Sequence, residues 1–188
     1  AAALVKEDVP CVYWTASALG KWGKSIGLAT TLKHLGAVEA WMNKVEELDA
    51  SYFYGGVHRY WGALYAGKPS FAGRDMDRSK KEFDKSLEIA PEYLGTRILI
   101  ADYWAKTMQD HELFDEMVQY VLASDPTILD ENILPENESE LRKAKALKEQ
   151  RNDLFVDAPA EMAPLKEQPP VKEAPVEEAP VEEAPVEE

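Results

Sequence analysis

Three histidines, His34, His58 and His111, a lone Cys11 and a dense set of aromatic rings are the side chains of this sequence that could do chemistry. No two histidines stand at i, i+4, and His111-Glu112-Leu113 lacks the second histidine of a metalloprotease helix, so the spacing offers no metal site. GxSxG, GxxxxGK(S/T) and GxGxxG are all missing, and Gly55-Gly56 follows Tyr52-Phe53-Tyr54 rather than a strand. Cys11 has no His or Lys near it to generate a thiolate and reads as a small buried hydrophobe. Lipid attachment at Cys11 is opposed by LVKEDVP, which places charge and Pro where small apolar residues are needed. With no convergent acid, base or nucleophile, the chain reads as non-enzymatic, with no cofactor.

The aromatic pattern is more informative. Tyr54, His58, Trp61 and Tyr65 recur at i, i+4, i+7 and i+11, which aligns four amphipathic rings along one helical face. Tyr103 and Trp104 take corresponding places one repeat later, and Trp14 adds a ring near the front of the chain. Most aromatics in a helical stack fill the core. A stripe with polar tips can also line an apolar cavity, the general character of a small-molecule site. The candidate ligand-binding set is therefore Trp14, Tyr54, His58, Trp61, Tyr65, Tyr103 and Trp104.

The elements that must position these rings read as helices. Leu113, Met117 and Val121 with Phe114, Val118 and Leu122 make one apolar face over 110–124, which Asp110 can cap and Pro126 stops. Phe83, Leu87 and Ala90 do the same over 76–90, between Asp75 and Pro91, and Val38, Trp41, Val45 and Leu48 over 37–49. Segments 54–67 and 96–108 are apolar on most sides and belong inside a stack. Helices over 9–29 and 137–155 complete the set, and no strand alternation survives. NKVEELDASY aligns with DKSLEIAPEY, and SLEIAP with VLASDP, at offsets near tetratricopeptide-repeat length, with small residues such as Gly62 and Ala101 where helices must approach. The fold class expected is all-α, a TPR-like stack of helical hairpins.

Charge separates a body, 1–156, from an acidic Pro-rich low-complexity tail, 157–188. Of the 188 residues 21 are basic and 35 acidic, for a net charge of −14. The tail holds seven of the twelve prolines and ten acids against two lysines, in EAPVEE repeats that favour an extended, solvated chain. An acidic body excludes general nucleic-acid binding, which needs clustered Lys and Arg. One cysteine excludes an internal disulfide, and no run approaches the ~20 apolar residues of a membrane span. The opening AAALVKEDVP has no initiator Met and no signal-peptide pattern, so a processed or truncated product is expected.

Four segments, KEDVPCVYWTASALGKW, ELDASYFYGGVHRYWGALYAGKP, the long stretch from AGRDMDR to VLASDP, and NDLF, together resemble the TatT family, the T component of tripartite ATP-independent periplasmic (TRAP) transporters. The similarity covers 5–156, and the order of YWTASA, YGGVH, AGRD and QDHELF is far more specific than a generic repeat signature. The resemblance implies a periplasmic, lipid-anchored, trimeric accessory subunit. It would dock the solute-binding P subunit and bind or pass a hydrophobic, lipid-like solute. The family's preceding helical region and acylated N-terminal cysteine have no counterpart here, so this chain corresponds to the C-terminal part of the family domain. An apolar face those helices cover is then exposed or used between subunits. The alternative from another class is a TPR adaptor holding an extended peptide of a partner protein. It calls for a basic concave face, and the inner helices carry mainly Arg59 and Arg97.

Overall fold

The structure is a computed structural model that describes residues 4–127, 131–159, 161, 162, 165 and 166. The EAPVEE repeats of the tail lie outside them. Every regular element among the described residues is helical: α1 (Val9–Ile26), α2 (Leu28–Asp49), α3 (Tyr52–Gly67), α4 (Met76–Ile89), α6 (His111–Ala123) and α7 (Leu134–Leu154), with α5 built from Leu94–Leu99, a π-helical Ile100–Ala105 and Lys106–Met108. The helices pair as hairpins, α1 with α2 and α3 with α4, while α5 packs on α6 and α7 closes the stack. The all-α reading holds.

Local chemistry sets the ends. Asp75 accepts from the Arg78 amide at 2.9 Å and Asp110 from the Leu113 amide at 3.0 Å, so each satisfies an orphan donor of the first turn, as their positions in the sequence suggested. Gly27, at φ 138° and ψ 174°, breaks what the sequence reads as one helix over 9–29, because that backbone conformation is strained for any residue with a Cβ. The chain reverses there into α2. That helix therefore begins at Leu28 rather than at residue 37 and carries LATTLKHLG on an extra two turns.

Two larger apolar cores share the stack among the described residues, beside a small cluster of Ala90, Tyr93 and Ile133. One gathers Phe83, Leu94, Ile98, Phe114, Val118 and Val121 from α4, α5 and α6. The other joins Val9, Tyr13 and Ala16 of α1 to Val38, Met42 and Val45 of α2 and Val57 and Trp61 of α3. Cys11 corrects the sequence expectation: it is exposed. The buried face of α1 runs through Val9, Tyr13 and Ala16, and a residue two places on from Val9 points some 200° around the helix.

The close approach expected at Gly62 is real. Ser79 Oγ donates to the Gly62 carbonyl at 2.7 Å, and a Cβ on Gly62 would meet the Phe83 ring at 2.7 Å. Phe83 is 2% exposed and has nowhere to move. Gly62→Ala should gain up to about 1 kcal/mol of helix propensity yet lose about 1–3 kcal/mol to overpacking. A lower urea midpoint is the expected result; an unchanged or higher one would mean that the α3–α4 contact yields to an added methyl group.

Candidate functional site

A cavity of about 800 Å³ lies among the helices, walled by α1, α2, α3, α5 and α7. That is within the usual size of small-molecule sites. Its α3 wall is the row Gly56, Tyr60, Ala63 and Gly67, which repeats the i, i+4, i+7, i+11 spacing of the Tyr54 stripe two residues further on. Small side chains on this row let rings from neighbouring helices close on the α3 backbone. The Tyr13 hydroxyl lies 2.5 Å from where a Gly56 Cβ would sit, and the Tyr103 ring 3.2 Å from that of Gly67.

Of the seven rings and side chains expected to bind ligand, Trp14 and Tyr103 line the cavity. Trp14 donates from Nε1 to the Tyr52 hydroxyl at 3.2 Å and packs edge-on against Phe53, with centroids 4.8 Å apart. The π-helical stretch of α5 widens one turn, a feature frequent at functional sites. Tyr103, within it, accepts a hydrogen bond from Lys24 at 2.6 Å across the cavity. The stripe of Tyr54, His58, Trp61 and Tyr65 lies away from this cavity and faces α2, α4 and Tyr93. Tyr54 stacks on Tyr93 (5.1 Å, 15°), Trp61 donates to Glu46 at 2.9 Å, and Tyr65 stacks on Trp61 and lies under Arg78. Trp104 donates to the Met76 carbonyl at 3.1 Å and packs against the α4–α6 core.

His58 sits in a polar cluster that sequence spacing did not reveal. One ligand-type atom each of Glu46, His58 and Glu82 lies within 4.8 Å of the others. His58 Nδ1 is 2.7 Å from Glu82 Oε2, and the Lys85 ammonium is 2.9 Å from Glu82 and 4.0 Å from Glu46. Burial raises the Glu82 carboxyl, but the hydrogen bonds from His58 and Lys85 outweigh it and hold it below the usual range. The lysine supplies the positive charge that a cation would bring, so this cluster reads as a clamp between α3 and α4.

The least expected feature stands at the start of α3. Phe53, Tyr54 and Gly55 are all left-handed, at φ 48°, 57° and 71°, before the helix continues right-handed. Two aromatic residues in that region cost on the order of 1–3 kcal/mol each. Arg59, one and a half turns on, offsets the cost: its guanidinium donates to the Tyr54 carbonyl and, at 2.6 Å, to that of Phe53. Its carbon also lies 4.0 Å above the Tyr93 ring. Arg59 is 5% exposed and forms part of the cavity wall. The sequence marked it only as one of the few basic residues on the inner helices.

Among the described residues no helix is long and apolar enough to cross a membrane. No curated protein shows significant similarity to the chain. The family model described as the TRAP transporter T-component matches residues 1–155, the whole helical body and nothing of the acidic tail. An all-α stack with this motif order over that span leaves one conclusion: the chain belongs to the TRAP transporter T-component family and is an accessory component of such a transport system.

Proposed function

We propose that this protein is a non-catalytic, periplasmic scaffold that docks the solute-binding P subunit of a TRAP transporter and lends its cavity to a hydrophobic solute. The observation that carries the reading is the hollow itself: about 800 Å³ of space among Trp14, Phe53, Leu64, Leu99 and Tyr103, instead of rings meeting to fill it. The rings and aliphatic side chains of this wall select for apolar surface. Assembly as a homotrimer with lipid anchoring belongs to the same reading. Trp22 and Ile26 are exposed where α1 turns into α2, next to Leu28 and Leu32 of the cavity lining, and Ile26 is 61% exposed, the kind of face that subunit contacts cover. A second reading, capture of an extended peptide, is favoured by lysines at the cavity rim, Lys21, Lys24 and Lys143, which suit a peptide carboxylate.

Native mass spectrometry of the full chain, before and after delipidation, separates the two. The expected spectrum shows three subunits carrying an apolar small molecule that delipidation removes, and a complex once the P subunit is added. A protein that stays monomeric, takes up no apolar molecule after delipidation and retains an extended peptide would sink the solute-carrier reading.

A further inference from the structure

The cavity is apolar in its rings and aliphatic side chains but not in its charge. Arg59 is almost wholly buried on its wall, and among the described residues no carboxylate lies within ion-pair distance of it. Removing a guanidinium from water is costly unless a counter-charge or several hydrogen bonds replace the water. Here the replacements are the Phe53 and Tyr54 carbonyls, the faces of Tyr93 and Phe53, and the neighbouring Tyr13 hydroxyl. None of these is an anion, and Glu140, the carboxylate that acts on Arg59 through space, is itself paired with Lys143. A guanidinium has five N–H donors, more than the two carbonyls and the hydroxyl engage.

The surrounding charges point the same way. The body of this protein is acidic, yet the wall carries Lys21, Lys24, Lys68 and Lys143 beside Arg59. Glu136 and Glu140 are the carboxylates that share it. Glu140 is already engaged by Lys143 at 2.7 Å, and Lys68 is paired with Glu39 at 3.0 Å. A net positive hollow in an acidic molecule is complementary to an anion and draws it in.

We infer that the solute of this cavity is an anionic amphiphile, an apolar chain ending in a single carboxylate or phosphate whose oxygens take the free donors of Arg59, with Tyr13 beside them. The inference rests on the proposed solute-binding reading and adds the head group to it. Guanidinium pairs planar two-oxygen anions through parallel hydrogen bonds, which explains an arginine at the deep site and lysines at the rim. The chain of the amphiphile would then lie along Ala63, Leu64 and Leu99 toward Tyr103.

Decanoate and decanol share a chain and differ in the head, so their affinities for the delipidated full-length protein test the inference directly. Displacement of the neutral dye Nile red, read by fluorescence at pH 7.5, reports both. Decanoate should bind about ten-fold or more tightly than decanol, the size of effect a charge-assisted hydrogen bond gives. Arg59→Gln should abolish that preference, bringing the affinities for acid and alcohol together. Because Arg59 also holds the Phe53–Gly55 turn, circular dichroism must show native helicity. If Arg59→Gln fails to fold, Arg59→Lys, which keeps charge but loses the two-pronged geometry, should cut the preference several-fold. Equal affinities for acid and alcohol overturn the anionic head and leave the apolar cavity standing. Failure of both ligands to displace the dye overturns the cavity reading itself. A preference that survives in folded Arg59→Gln overturns the assignment to Arg59.

Discussion

Asp115→Ala is expected to destabilise the protein by about 3–5 kcal/mol, the range found when one partner of a buried ion pair is removed. Against a total stability of about 5–15 kcal/mol for a domain, such a loss approaches unfolding. Asp115 is wholly buried on α6, beside Phe114 and Val118, and Arg151 of α7 grips it with both prongs, Nε to Oδ1 at 2.6 Å and Nη2 to Oδ2 at 2.7 Å. Nη1 of the same arginine reaches on to the Pro159 carbonyl at 2.6 Å. Alanine would strand the guanidinium in an apolar core with its charge uncompensated. Urea unfolding followed by circular dichroism should show a large fall in midpoint with an unchanged slope. Replacing both partners by Met should recover most of the loss, because an apolar pair leaves no orphaned charge. A single-mutant loss below about 1 kcal/mol, the range of exposed pairs, would mean that the pair is solvated and that something else holds α7 in place. The pair matters beyond stability because α7 brings Glu136, Glu140 and Lys143 to the cavity wall.

Much of the scaffold behind that wall is written locally in the chain. Asp75 and Asp110 sit where caps are needed, Pro91 and Pro126 where helices must have ended, and Gly62 where α3 and α4 touch. Each of these is a short-range rule that a few neighbouring residues satisfy. The cavity obeys a different kind of rule. Periodicity tells which residues of α3 share a face but not which neighbour that face meets, so the rows 54, 58, 61, 65 and 56, 60, 63, 67 are equally regular. The ring-bearing row is the more conspicuous, and it serves the α2 and α4 contacts through Glu46 and Glu82. The quieter row, three small residues and Tyr60, faces the space and lets Tyr13 and Tyr103 close on the α3 backbone. Likewise the Asp115–Arg151 pair joins residues 36 apart, and the left-handed turn at 53–55 depends on a guanidinium that arrives from the next turns of the helix. Gly27 was legible as a breaker, and reading it so would have put Thr31, Leu35 and Val38 of α2 opposite α1.

Ala63→Trp carries the largest expected effect on function. Ala63 stands half-buried in the middle of the quiet row and lines the cavity. Its α3 neighbours suit the purpose less well, since a Cβ at 56 collides with Tyr13 and one at 67 crowds Tyr103. An aromatic side chain of this size buries about 150–250 Å² of surface, and from position 63 its ring would occupy the space a solute's chain requires. Affinity for decanol and decanoate should therefore fall by ten-fold or more together, unlike the Arg59 variants, which separate the two. Stability should hold or rise, because filling a void adds contacts that the empty hollow forfeits. Leu35→Trp, reaching in from α2 on the opposite wall, repeats the test without touching α3. Weaker binding from a protein that unfolds no more easily is what a hollow kept open for a ligand predicts, whereas a packing defect would lower both. If both variants fold natively and bind the two probes as tightly as the parent chain, the solute sits elsewhere and the hollow is only a gap left by the curvature of the stack.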